Sequence, residues 1–257
     1  MITARRKVLL ALMAFATTAT VVARSGHAEP AEPPPHPPGH QLAPGARSIA
    51  VNAGGVAIFL IQFDLEEFRA EVVVGDGTPP SPSTASAWRQ RSKAVAVVNG
   101  GFFDERIAPL GLRIAGGKTR VALRPRVDWG VLVVADKRAR IVHSREFRPD
   151  PTVSAAIQVG PRLIVDGVPV RLKPQSARRT AVGLDREGRV LTLVLSDRPI
   201  QAAALASRLA ELGIFSALML DGGPSTQLSL DLGNAHIDFP GVYPVPDLLA
   251  IHMRHAR

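Results

Sequence analysis

The hydrophobic pattern of this chain is densest toward its C-terminal half. Residues 190–195, Val-Leu-Thr-Leu-Val-Leu, form an unbroken apolar run of strand length that predicts a buried strand. Residues 199–213 then place Leu205, Leu209 and Leu212 at i, i+4 and i+7, with polar side chains between them, which predicts an amphipathic helix. Pro199 suits its first turn and Gly213 its end. Residues 217–220, Ala-Leu-Met-Leu, are a second buried strand. Strand, helix, strand predicts a βαβ-like crossover unit, and such units gather ligands beyond the carboxyl ends of their strands. Asp221 stands at that end.

The same plan occurs earlier. Residues 83–92 predict a short helix and residues 94–98, Ala-Val-Ala-Val-Val, a buried strand that runs into Asn99-Gly100-Gly101. Asn99 thus matches Asp221, and Gly100-Gly101 matches Gly222-Gly223. Asn-Gly and Asp-Gly are also common turn dipeptides. Two such loops, each following a buried strand, predict a single site on which both converge. Elsewhere, residues 56–63 and 68–74 read as a hairpin turned at 64–67, and 129–135 with 139–143 as a second hairpin. Shorter strands are predicted at 109–114, 153–158, 163–165, 180–184 and 248–253.

Composition narrows the chemistry. Hydrophobic residues make up 46% and charged residues 21% of 257, ordinary for a globular domain. The absence of cysteine removes disulfides, thiolate catalysis and cysteine-bound zinc. Residues 1–28 combine Arg5, Arg6 and Lys7 with an apolar stretch and small residues at Gly26 and Ala28, the pattern of a secretory signal peptide. Seven prolines then mark residues 29–45 as an extended linker, leaving 46–257 as the folded domain. The formal charge of +9 falls to +5 once the four basic residues of the leader are removed, and no nucleic-acid motif accompanies it. The expectation is a periplasmic or secreted protein with no nucleic-acid partner and no membrane span after cleavage.

No metalloprotease, nucleotide-loop or serine-hydrolase signature is present. What remains is a set of polar groups at strand ends: Asn99, Asp104, Gln158, Arg179, Asp197 and Asp221. The glycines among them let a ligand approach backbone N–H groups. Carboxylates can act as nucleophile, acid or base at an anomeric carbon, and an arginine offers paired donors to phosphate oxygens. The set suits a sugar joined to phosphate. Two other readings stay open on these residues. One is a glycan-binding protein without catalysis; the other is a metal-dependent phosphodiesterase with Asp104, Asp197 and Asp221 as oxygen ligands.

An ordered series of motifs goes further. Asn99-Gly100-Gly101-Phe102-Phe103, Pro109-Leu110-Gly111-Leu112, Gln158-Val159-Gly160-Pro161, Arg179-Thr180-Ala181-Val182-Gly183 and Asp221-Gly222-Gly223-Pro224-Ser225 together resemble the phosphodiester glycosidase family. The resemblance runs from about residue 51 to 253, and the chain looks similar to the short bacterial exported members. It has Gly-Gly-Pro-Ser where Gly-Gly-Gly-Ser is common, so the loop has one backbone donor fewer. The resemblance implies an α+β fold, a mixed and extensive β-sheet with a few helices. It also implies hydrolysis of a sugar-1-phosphodiester, or of a phosphoglycan carrying one, to free sugar and phosphomonoester without a cofactor. It implies Asp221 and Asn99 in the reaction, with Arg179 at the phosphate and Asp104 of second rank. It also implies a pocket shaped by Gly100, Gly101, Gly160, Gly222, Gly223 and Ser225, with Gln158, Thr180 and Asp197 beside it. Whether a metal takes part is left open.

Overall fold

The computed structural model describes residues 39–78 and 80–254. The expected signal peptide at 1–28 and most of the expected linker lie outside the described residues. The linker's last part does not: His40–Ala43 turns at Gly45 and pairs with Ala46–Ala53. The proline count of the preceding segment obscures this strand in the sequence.

An eight-stranded sheet has the order His40–Ala43, Ala46–Ala53, Val56–Asp64, Val190–Ser196, Thr180–Leu184, Ser216–Met219, Arg162–Val165, Val168–Pro169. A five-stranded sheet has the order Ala235–Phe239, Leu228–Leu232, Ala96–Asn99, Asp247–Met253, Phe68–Val74. The third sheet, also of five strands, runs Lys118–Val121, Arg113–Ala115, Ala155–Val159, Gly130–Ala135, Arg138–His143. Helix α1 spans Ala85–Ser92 and helix α2 spans Ala202–Glu211. The α+β class with extensive sheet and few helices is therefore what the chain adopts.

Alternating side chains decide the layers. Ile61, Phe63, Leu191, Leu193, Leu195, Val182 and Leu218 leave the eight-stranded sheet on one face. They pack against Val72, Val98, Leu230, Leu249, Ile251, Leu132 and Ile157 of the two smaller sheets. The opposite face, with Leu60, Val194, Ala181, Ala217 and Met219, is covered by Leu205, Ala206 and Leu209 of α2. The expected leucine stripe is thus the buried one. The helix starts later than Pro199 suggests, because Ile200–Gln201 pairs with Ser176–Ala177. At its end Gly213 takes a φ of 78°, the left-handed conformation that suits glycine after a helix. Helix α1, capped by the Thr84 hydroxyl accepting from the Ala87 N–H, packs through Ala85 and Trp88 on Val73, Val97, Leu248 and Ala250.

Two expectations change. The strands Val56–Asp64 and Phe68–Val74 form no hairpin: the first pairs with Ala46–Ala53 and Val190–Ser196, the second with Asp247–Met253. Leu65 and Phe68 are fully buried, so the segment between the strands turns inward and carries the chain from one sheet to another. The crossover unit is also split. Val190–Ser196 and Ser216–Met219 run in the same direction but flank Thr180–Leu184, which is antiparallel to both. The tight turn at Asp185–Gly188 lets Thr180–Leu184 claim the neighbouring place before the helix returns. Every ladder among the described strands is antiparallel, so the sheet is not mixed in its pairing.

Candidate functional site

The two glycine loops meet. Asn99 ends the strand Ala96–Asn99, and its Nδ2 donates to the Asp221 carbonyl at 2.7 Å. The Asp221 N–H in turn donates to the Gly100 carbonyl at 3.0 Å. Asn99 Oδ1 accepts from the Thr180 hydroxyl at 2.8 Å and from the Gln227 N–H at 3.2 Å. A single buried amide therefore joins four segments, three of them carrying motifs picked out in the sequence. These contacts engage the Asn99 amide and the Thr180 hydroxyl in tying the loops together.

Beneath the first loop lies an ion pair that sequence reasoning missed. Arg113 and Asp247 form a salt bridge of 3.1 Å with both side chains wholly buried. Asp247 Oδ1 accepts the Gly101 N–H at 2.7 Å, and its carbonyl accepts the Gly100 N–H at 2.9 Å. A Cβ on Gly100 would stand 1.8 Å from Asp247 Oδ1, so glycine is required there by the closeness of the carboxylate. Arg113 also donates to the carbonyls of Gln158, Leu112 and Phe102. Its isolated place in a short apolar strand gave no signal, since an arginine there usually marks a solvated edge.

Gln158 is buried and saturated. Its Oε1 accepts from the N–H groups of Leu112 and Arg124, and its Nε2 donates to the Arg124 carbonyl and the Ser144 hydroxyl. It fastens the Pro109-Leu110-Gly111-Leu112 motif, where Gly111 takes a φ of 93° against the Gln158 side chain. Gly160, two residues on, packs on Trp129, whose ring meets Phe102 edge-on at 5.1 Å. Asp104 is exposed and caps its own loop by accepting from the N–H groups of Arg106 and Ala108, both at 2.9 Å. Asp197 lies at the same sheet end as Asp221, but its carboxylate accepts from Ala57 N–H at 2.9 Å and faces Arg198 at 3.5 Å. Among the described residues no three acidic or histidine side chains come close enough to share a metal ion. Asp104, Asp197 and Asp221 are accordingly not a ligand set.

Asp221 is the carboxylate left in reach of a ligand. It is half-buried just past Ser216–Met219, with Oδ1 accepting its neighbour Gly222 N–H at 2.9 Å. Burial pushes its pKa above the ordinary aspartate value of 3.8. The Ser225 hydroxyl, the Gly222 N–H and the more distant Arg113 charge oppose that rise, while the Asp247 charge adds to it. The Ser225 hydroxyl is buried without a well-formed hydrogen bond of its own.

Arg179 stands beside this loop. It is 4% exposed, and its guanidinium donates to the carbonyls of Ile200 and Gln175 and touches the Met219 sulfur. Among the described residues it has no carboxylate partner, and burial pulls its pKa down. Ser196, which the sequence did not single out, orients it by accepting the Arg179 N–H at 2.8 Å. A Cβ on Gly222 would stand 2.8 Å from the Arg178 carbonyl oxygen, and Gly223 N–H donates to that carbonyl at 2.8 Å. Asp221 and Arg179 thus stand at the ends of adjacent antiparallel strands, where Ala181 pairs with Met219 and the Leu220 N–H donates to the Thr180 carbonyl. A cavity of about 580 Å³, with Val74, Trp88, Pro109 and Arg120 among its lining, includes none of these groups.

Comparison with known proteins places these features in a wider group. The family model described as phosphodiester glycosidase matches residues 92–252, which hold all five motifs. Over 140 residues the chain is 32% identical to the uncharacterized protein YigE of Escherichia coli strain K12, an alignment covering 49% of this chain and 54% of that protein. The chain thus spans about half the length of that curated relative. The catalytic domain of zebrafish N-acetylglucosamine-1-phosphodiester alpha-N-acetylglucosaminidase, auto-inhibited by its pro-peptide, superposes with a TM-score of 0.67 at 18% identity. That superposition covers 84% of this chain and 86% of the zebrafish domain. A hypothetical protein from Synechocystis gives a TM-score of 0.60 at 16% identity, over 85% of this chain and 64% of that one. At these identities the structures share a fold.

Proposed function

The chain belongs to the phosphodiester glycosidase family, and from that premise we propose that it hydrolyses a sugar-1-phosphodiester to free sugar and phosphomonoester, outside the cytoplasm. The observation that carries the reading is the register that brings Asp221 and Arg179 to one sheet end, just outside the paired strands Ser216–Met219 and Thr180–Leu184. A glycosyl phosphodiester presents an anomeric carbon next to an anion, and this sheet end carries a half-buried carboxylate and, one strand over, a buried arginine with no carboxylate partner among the described residues.

The bond broken is that between the anomeric carbon and the phosphate oxygen. Water supplies the hydroxyl of the released sugar, and the electron pair of the breaking bond stays with the phosphomonoester. Arg179 stabilises the charge that builds on the departing phosphate. Phosphate leaves readily without a proton, so the reaction asks for one ionised carboxylate, which takes the proton of water or bonds to the anomeric carbon. Asp221 fills that role because Asp247, Asp104 and Asp197 are each engaged elsewhere. Asn99 keeps the two loops in register, and the N–H groups of Gly100 and Gly101 tie the first loop to Asp247. The pattern at residues 1–28 supports export.

The test is release of free sugar from a panel of sugar-1-phosphate methyl esters by the purified domain, with Asp221→Asn in parallel. Turnover lost in a variant that remains folded supports the reading. Tight retention of the esters by wild type with no turnover overturns it in favour of a glycan-binding protein.

A further inference from the structure

We infer that Val242 and Tyr243 form a second sugar-binding surface at the mouth of this site, so that the substrate is an oligosaccharide extending beyond the bond cleaved. The inference rests on the phosphodiester glycosidase reading and names its substrate class.

Both residues are large, apolar and exposed, at 74% and 41% respectively, and they are adjacent in sequence. Burial of such a pair is favourable, so two of them side by side on an ordered loop mark a contact surface more strongly than scattered single residues do. The loop is fixed to the catalytic machinery from both sides. The Val242 N–H donates to the Pro224 carbonyl at 2.8 Å, within the Asp221-Gly222-Gly223-Pro224-Ser225 loop. The Tyr243 ring meets Phe103 edge-to-face at a centroid distance of 6.2 Å, two residues beyond Gly101 in the other loop. Gln227 holds the base: its Nε2 donates to the carbonyls of Ser225 and Tyr243, and its Oε1 accepts the Ala85 N–H at the start of α1. Gly241 packs directly on the Gln227 side chain, where a Cβ would lie 2.7 Å from Nε2.

The surface therefore touches both glycine loops and belongs to neither. Its chemistry suits a pyranose. A tyrosine offers a flat apolar ring for the C–H face of a sugar and a hydroxyl at its rim for the sugar's own hydroxyls. Few charged groups interrupt it: residues 239–246, Phe-Pro-Gly-Val-Tyr-Pro-Val-Pro, contain none. Past Pro244, Val245 and Pro246 line a cavity of about 350 Å³ together with Trp88 and Arg91, which gives a longer chain somewhere to continue.

The experiment compares two substrates on wild type and variants: a sugar-1-phosphate methyl ester, and the same phosphodiester carried on a trisaccharide. Wild type prefers the trisaccharide in kcat/KM, and Tyr243→Ala lowers that preference roughly tenfold through KM, while Tyr243→Phe keeps most of it. A preference unchanged in Tyr243→Ala overturns the inference. Failure of the parent reading shows differently, as absence of turnover on both substrates. Binding is then read on the ring resonances of Tyr243, the only tyrosine in the chain. Shifts on adding the free trisaccharide uphold the surface without catalysis, and their absence removes it.

Discussion

At the scale of single residues, Asp221 carries the strongest consequences. A pKa raised by burial means that the folded protein holds this proton more tightly than the unfolded chain does. Its contribution to stability is therefore least unfavourable in acid and falls as pH rises from the ordinary value of 3.8 through the folded one. Asp221→Asn removes the cost of the buried charge. It is expected to abolish turnover while raising the melting temperature at neutral pH, with the gain fading below about pH 4. Identical melting at pH 7 counts against a strained carboxylate. Since the reaction uses the ionised form, kcat/KM falls toward acid through a pKa above the usual aspartate range, which a pH–rate profile reads directly. Arg179→Met replaces a buried cation lacking a carboxylate partner by an apolar chain of similar length. Stability is expected to hold or rise, because such replacements are often neutral or favourable. kcat/KM drops by about 10²–10³ as the departing phosphate loses its partner. Steady-state kinetics beside a thermal melt separates the two effects.

At the scale of elements, the sequence was legible where packing is local and opaque where it is not. The period of Leu205 and Leu209 revealed α2, and the repeated strand-to-glycine plan revealed both loops and their convergence. Arg113 and Asp247 left no such trace, because each acquires meaning only when strands distant in sequence lie side by side. The same holds for Gln227 and for Leu65 with Phe68, whose burial turns an expected hairpin into a passage between sheets. Asn99, Gln158 and Thr180 were visible as motif residues, yet the side chains of the first two bond mainly to backbone and that of Thr180 to Asn99. Leu209→Ala should cost about 2–5 kcal/mol in denaturant unfolding and leave KM unaltered, since α2 covers the sheet face opposite the smaller sheets. Arg113→Met leaves the Asp247 carboxylate buried and unpaired, and is expected to cost about 3–5 kcal/mol. It also disturbs turnover, because the Gly100–Gly101 loop hangs on Asp247. An Arg113→Met variant with native stability would remove the ion pair from this account.

At the scale of the whole molecule, three sheets share one core, and the strand that joins most of it arrives late. Asp247–Met253 sits between Ala96–Asn99 and Phe68–Val74, far from both in sequence. Pairings of this span make folding slow and all-or-none, because nothing local rewards the partial structure. Deleting residues 247–257 is expected to leave a chain without cooperative unfolding, measured by circular dichroism.

Asp247 opens that late strand, and Gly100 and Gly101 take their positions from it. On a ribosome the glycine loop is therefore made well over a hundred residues before the carboxylate that shapes it. A growing chain has every motif of the pocket and still no pocket, and competence comes in one step when the final strand docks.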